Sequence, residues 1–310
     1  MKKSFLSLFL VGGLVVGAIS GCSTGETTNG DSDVIKVTTT IGQIKDAVEN
    51  VGGEYVEVNS LMGPGVDPHL YKASQGDIQK LSDADIIFYN GLHLEGKMGE
   101  IFEKMDDDKP TVAVGENVPE ENLLTDEANP EYHDPHVWFD IDSWIYAVQA
   151  IEVELSELDP EHKDEYKKNA ESYIAELKEL KTYATEQIAT IPEESRILVT
   201  AHDAFRYFGK AYGIEVRGLQ GLSTDSEYGL KDVQDLVDLL VEKEIKAVFI
   251  ETSISDRSIN AIVEGAESKG HSVSVGGSLF SDAMGEDGTE EGTYLGMYKH
   301  NVDTIVSALK

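Results

Sequence analysis

The sequence predicts an α/β fold of two lobes, each a mainly parallel sheet flanked by helices, joined by one long rigid helix. Three observations predict it. β-rich runs alternate with amphipathic helical runs through both halves, the pattern that folds into parallel sheets with helices on their faces. The chain beyond its N-terminal segment is longer than one core comfortably fills. Residues 161–191 contain neither Gly nor Pro, so a stiff helix rather than a flexible linker joins the halves.

Taken in order, residues 34–40 (VIKVTTT) are β-rich and lead into an amphipathic run at 41–51. A second strand follows at 56–62, a helix at 74–81, a buried strand at 86–90 and a fourth strand at 111–114. In the second half, a strand at 197–200 precedes a helix carrying Phe205 and Tyr212, and another strand lies at 216–219. A helix at 230–241 sets Val233, Leu236, Val237 and Leu240 on one face. A strand at 247–250, a helix at 255–269, a short strand at 273–275 and a helix at 294–309 complete the chain.

Between the halves, Tyr166, Ala170, Tyr173, Ile174, Leu177, Leu180, Ala184 and Ile188 recur at mostly helical spacings. Asp159-Pro160 opens this stretch and Pro192 closes it. Roughly 28 helical residues would span about 42 Å, and such a joint permits small tilts rather than wide opening. The expected division is a signal peptide at 1–21, a tether at 22–33, an N-terminal lobe at 34–159, the linking helix at 160–191 and a C-terminal lobe at 192–310.

Lys2 and Lys3 precede an uncharged, mostly apolar run at 5–19, which suits the apolar region of a secretory signal and is short for a membrane span. It ends in Ile19-Ser20-Gly21-Cys22. Small residues before a cysteine resemble a bacterial lipoprotein processing site, and cleavage there would leave Cys22 N-terminal for lipid attachment. Cys22 is the only cysteine, so it has no disulfide partner, and lipidation explains its presence. The polar stretch 23–33 reads as a flexible tether. The folded part is therefore expected outside the cytoplasmic membrane, held to it by a lipid.

The formal charge is −33, and loss of Lys2 and Lys3 takes away two positive charges, giving −35. Such a surface excludes nucleic-acid binding, which needs clustered Lys and Arg. It concentrates cations only diffusely, and most of these carboxylates serve solubility.

Four segments carry chemistry: GPGVDPHLY at 63–71, DPHVWFD at 134–140, the strand-end sequence TAHDAF at 200–205 and SLFSDAM at 278–284. Three of them fall where a strand gives way to a loop or helix, where parallel sheets place ligands. The candidate ligands are His69, His136, His202 and Asp282; three imidazoles and a carboxylate suit a divalent transition metal. Asp67-Pro68-His69 and Asp134-Pro135-His136 are the same tripeptide. Proline stiffens each loop, and each aspartate could orient an imidazole by accepting its second N–H. His93 and His133 lie near these segments as possible gate residues. His162, His271 and His300 read as solvated. Glu251 reads equally as a supporting carboxylate or an exposed loop acid.

These segments, with VRGLQGLST at 216–224, resemble the metal-specific cluster of ABC-transporter solute-binding proteins, the zinc- and manganese-binding lipoproteins of the treponemal TroA type. The resemblance covers essentially the whole chain after the signal. It implies two α/β lobes joined by one long helix, with Mn2+ or Zn2+ held between them as transported ligand by His69, His136, His202 and Asp282. It further implies an ABC permease with its ATPase as partner, and a monomer. Three departures stand out. Asp140 is followed by Ile141 where the family often has proline. The stretch 116–134 is acidic and carries only His133, where zinc-specific members often have a His-rich loop. His202 stands where many manganese members have Glu. The VRGLQGLST segment resembles the manganese branch that keeps a third histidine, so the metal leans to manganese. A bidentate Asp282 would suit manganese, a monodentate one zinc.

Two other functions bear weighing. A metal-dependent hydrolase needs an open coordination position and a general base, for which Asp203 or Glu251 could serve. Four protein ligands would close that shell. A surface adhesin would not need buried ligands. Three imidazoles must be neutral to bind metal, so affinity should fall below about pH 6 through competition by up to three protons.

Overall fold

A computed structural model describes residues 34–126 and 129–310. The expected signal peptide, the tether and Cys22 lie outside the described residues.

The first lobe is a four-stranded parallel sheet of β1 (Ile35–Thr39), β2 (Val56–Ser60), β3 (Ile86–Tyr89) and β4 (Thr111–Ala113), in the order β2-β1-β3-β4. Val37 of β1 sits opposite Val58 on one side and Ile86 on the other. Around this sheet lie α1 (Gly42–Gly52), α2 (Gln75–Asp83), α3 (Gly99–Asp106) and α4 (Ile141–Leu158). α2 starts where its sequence dictates: Ser74 and Asp77 form a reciprocal capping box. The winding direction reverses between β1 and β3, which opens a crevice beyond their carboxyl ends.

The second lobe repeats this winding. β5 (Ile197–His202) pairs with β6 (Glu215–Gln220), and β7 (Ala247–Glu251) pairs with β8 (Ser274–Leu279), all parallel. β5 lies beside β7, so the spatial order β6-β5-β7-β8 mirrors the first lobe. The helices are α6 (Arg206–Tyr212), α7 (Leu230–Glu242), α8 (Arg257–Ser268) and α9 (Tyr294–Leu309).

α5 (Lys163–Ile188) runs 26 residues without interruption, about 39 Å at 1.5 Å per residue. It is shorter at both ends than expected. The turn around Pro160 takes the first residues, and His162 hydrogen-bonds Asp159 there at 2.6 Å. Pro192 disfavours helix in the residue before it. Its buried stripe is the one read from the sequence: Tyr166, Ala170, Tyr173, Leu177, Leu180, Ala184 and Ile188. That stripe packs on α1, α4 and α9. The apolar cluster containing it takes in Val37, Ile87 and Phe88 of the first sheet and Leu198, Phe249 and Leu279 of the second. One core therefore runs through both lobes. A smaller cluster, including Val199, Leu236, Leu240, Ile259 and Ile262, fills the outer side of the second lobe.

Three elements differ from the sequence reading. The sequence pattern marks no helix at α3, and of α4 only its start at Asp140-Ile141. α4 is largely apolar and reads poorly as an amphipathic pattern, but Asp140 caps it, accepting from the Asp142 N–H at 3.2 Å. Ile141 is thus the first helical residue, the position where proline is tolerated, which accounts for one departure from the family pattern. β8 extends to Leu279 through two glycines that hid it. A Cβ on Gly276 would come within 2.7 Å of Ala308 and 3.0 Å of Phe249, so the close approach of α9 to the strand requires glycine.

Candidate metal centre

Each crevice contributes half of one site. His69 lies in the loop after β2, and His136 just before the short 3-10 turn Val137–Phe139 that leads into α4. His202 is the last residue of β5, and Asp282 follows β8 by three residues. All four are buried. Each offers a ligand atom, and these atoms lie within 4.8 Å of one another. The Nε2 atoms of His136 and His69 stand 3.4 and 3.7 Å from Asp282 Oδ1 and Oδ2, and that of His202 stands 3.3 Å from Oδ2. The structure thus brings together all four candidates from the sequence.

The scaffold is built to hold them. At the crevice of the first lobe, the Asn90 side-chain amide donates to the Pro135 carbonyl at 3.0 Å, and Tyr207 donates to the Asp134 carbonyl at 3.0 Å. Gly218 of β6 lies so close to the end of β5 that a Cβ there would come within 2.6 Å of His202 backbone. Asp282 is fixed from both lobes. Asn301 of α9 brackets Phe280, accepting its N–H at 2.9 Å and donating to its carbonyl at 2.7 Å. Trp138 and Gln43 of the first lobe both donate to the Ser281 carbonyl, at 3.1 and 3.4 Å.

Two imidazoles are oriented by carboxylates. Asp134 Oδ1 lies 2.7 Å from His136 Nδ1 and also accepts the His136 backbone N–H at 3.0 Å. Glu251, the last residue of β7, lies 2.6 Å from His202 Nδ1 and accepts the His202 backbone N–H at 2.9 Å. A carboxylate on Nδ1 holds a proton there and turns Nε2 toward the cluster, so Nε2 is the atom that gives up its proton and its lone pair when a metal binds. Glu251 is therefore a buried supporting carboxylate, not an exposed acid. The two Asp-Pro-His copies differ. Asp67 accepts the His69 backbone N–H at 2.9 Å, but its other oxygen binds the Thr224 hydroxyl at 2.6 Å rather than the His69 ring.

Electrostatics divides the histidines. Burial pushes the His69 pKa down to about 3, so its ring is neutral. Burial also opposes charge on His136, but Asp134 and Asp282 overcome it and raise its pKa to about 9. Burial opposes charge on His202 too, yet Glu251 and Asp282 hold its pKa well above the ordinary value. Against the cost of burial, His202 and His136 hold the Asp282 carboxyl well below the carboxylate range. Protons therefore compete with a metal mainly at His136 and His202.

His93 and His133 line a cavity of about 440 Å³ that reaches His69, and they do not join the cluster. His162, His271 and His300 are not simply solvated. His162 stacks on Tyr55 at 3.9 Å between centroids, His271 Nε2 lies 2.6 Å from the Ile245 carbonyl, and His300 Nε2 lies 3.0 Å from that of Ser278. Asp203, beside Arg206 at 3.8 Å, has its pKa raised to about 6 by burial and by Asp134, against the pull of Arg206.

Two α/β lobes on one long helix, closing a buried histidine–carboxylate pocket between them, define the class of solute-binding proteins that serve metal uptake. The chain belongs to the ZnuA family, described as zinc-uptake complex component A, periplasmic, which matches residues 37–308. It is 57% identical to the manganese-binding lipoprotein MntA of Bacillus subtilis (strain 168), over 94% of this chain and 95% of that protein. It is 48% identical to the zinc-binding protein TroA of Treponema pallidum (strain Nichols), over 88% of each. The solved structure of the periplasmic zinc binding protein TroA from Treponema pallidum has the same fold, with a TM-score of 0.87, covering 89% of this chain and 99% of that one. Among the described residues, no helix is long and apolar enough to cross a membrane.

The role of Glu251 is open to test. Glu251→Gln should lower divalent-metal affinity about 10- to 100-fold with an unchanged circular dichroism spectrum. Wild-type affinity in that variant would separate Glu251 from the site.

Proposed function

We propose that this chain is the extracytoplasmic solute-binding component of an ABC metal importer. It captures Mn2+ or Zn2+ with His69, His136, His202 and Asp282 and delivers it to a membrane permease driven by an ATPase. One observation carries this reading. The Nε2 atoms of the three histidines and both oxygens of Asp282 are buried, converge on one point and face only one another, with no hydrogen-bond partner outside the cluster. Buried polar atoms without partners are costly, and a divalent cation would satisfy all five at once.

Manganese is the preferred cargo. Both Asp282 oxygens face the cluster, each near at least one imidazole. Such a carboxylate can bind bidentately, giving five contacts and favouring a metal without zinc's preference for four. The protein named for manganese, at 57% identity, supports the same choice. The mirrored sheets support a two-lobe division at 34–159 and 192–310, with the segment 160–191, which carries α5, between them. The shared core along α5 makes wide opening costly, so metal release requires loosening of ligand loops. The protein acts as a monomer and binds rather than catalyses, and a lipid on Cys22 holds it to the cytoplasmic membrane.

Three outcomes are expected. In competitive titrations with Mn2+ and Zn2+ at defined free concentrations, His69→Ala and Asp282→Ala should each weaken binding by at least about 100-fold without unfolding; unchanged affinity would remove that residue from the site. Metal must displace protons from His136 and His202, whose raised pKa values keep them protonated at neutral pH. Affinity should therefore rise with pH from 5 to 8, and calorimetry in buffers of different ionisation enthalpy should count about two protons released per metal. A count of zero would contradict this arrangement. Cys22→Ala should release the protein from membranes, and retention at high salt would refute the lipid anchor.

A further inference from the structure

The two identical Asp-Pro-His tripeptides reach the metal centre from one lobe, yet only the second aspartate serves its own histidine ring. The first is turned outward across the gap between the lobes. Asp67 Oδ1 accepts the His69 backbone N–H at 2.9 Å, and Asp67 Oδ2 accepts the Thr224 hydroxyl at 2.6 Å. Thr224 belongs to the other lobe, in the loop after β6, and is 9% exposed. The loop is tied back in turn. The Gln220 side-chain amide donates to the carbonyls of Thr224 and Ser226, at 3.2 and 3.1 Å. Gln220 is the residue of β6 paired with His202 of β5. A continuous line of hydrogen bonds and strand pairing thus runs from the His69 backbone to the strand bearing His202.

We propose that Thr224 is a positioning residue for metal retention: its hydroxyl fastens the His69 loop to the opposite lobe and so sets how slowly bound metal leaves. This rests on the ligand assignment given above. Two further observations support it. The loop that Thr224 anchors, through Gly221, Leu222, Ser223, Asp225 and Ser226, forms a wall of the cavity of about 440 Å³ that reaches His69. Freeing that wall would widen the way out of the site on the His69 side. Among the described residues, a second tie between this loop and the first lobe is the Lys97–Asp225 pair, with Lys97 Nζ 2.9 Å from both oxygens. Its side chains are 32% and 58% exposed, so solvent screens it and it holds the loop weakly. The Thr224 bond is part-buried, with Thr224 itself buried, and has a carboxylate as acceptor, the stronger kind.

Thr224→Val keeps the shape and removes the hydroxyl, while Thr224→Ser keeps the hydroxyl. The mature full-length chain is loaded with Mn2+ and mixed with excess chelator, and the rate of metal loss is followed. Thr224→Val should release metal about tenfold faster or more, and Thr224→Ser should stay near the wild-type rate. In an Asp67→Ala background, Thr224→Val should add nothing, because the partner is already gone. Equal acceleration in the Val and Ser variants would point to packing and overturn the proposal, as would additive effects in the Asp67→Ala background. His69→Ala serves as the control. If it loses metal and Thr224→Val matches wild type, the proposal fails while the ligand assignment stands. If His69→Ala binds and releases metal normally, the ligand assignment itself fails.

Discussion

The apolar stripe of α5 is the constraint on which the rest of the structure depends. A metal site split between two lobes needs its halves registered to within a fraction of an ångström. Here a 26-residue helix buries one face from Tyr166 to Ile188 against α1, α4 and α9, and the core it anchors reaches both sheets. Bending an uninterrupted helix breaks backbone hydrogen bonds, and sharp kinks usually need Gly, Pro or an insertion. Parting the lobes would also expose apolar area, at about 25 cal/mol for each Å². The halves of the site are therefore held at nearly fixed separation, and changes in the site fall to its loops.

Those loops are held by different means in the two lobes. In the second lobe, His202 is part of a strand and Asp282 is bracketed by Asn301 of α9. In the first lobe, His136 is secured by Asn90 and Tyr207 acting on the backbone beside it, and by Asp134 on its ring. His69 lies in a loop that Tyr71 ties to the first lobe and Asp67 ties to the other. It is also the one histidine whose burial leaves it neutral. Geometry and protonation thus both single out His69 among the ligands.

The same carboxylates that orient the imidazoles also tax the metal. Asp134 and Glu251 fix the tautomers of His136 and His202 but favour their protonated forms, and Asp282 adds to this from the other side. Metal and protons therefore compete for one compact set of atoms. Such coupling ties affinity to local pH through elementary mass action. It also limits the cost of burying Asp282 before metal arrives, because the imidazolium charges balance it.

Much of this protein was legible in its sequence. The βαβα alternation, the helical stripe on α5 and the four ligand residues are local patterns, set by side-chain periodicity, strand ends and the chemistry of imidazole and carboxylate. What the sequence alone left undecided was whatever depended on a distant partner. Glu251 became a supporting carboxylate only because β7 lies beside β5, which brings it to a histidine 49 positions away. Asp67 and Asp134 sit in identical tripeptides, so no local rule could separate them; Thr224, 157 positions from Asp67, decided the difference. β8 was cut short in the sequence reading because glycines weaken a strand pattern, and only the approach of α9 explains them. Local propensity and residue chemistry are written in short windows of the chain, whereas the partner of each buried polar group is set by which surfaces the core presses together.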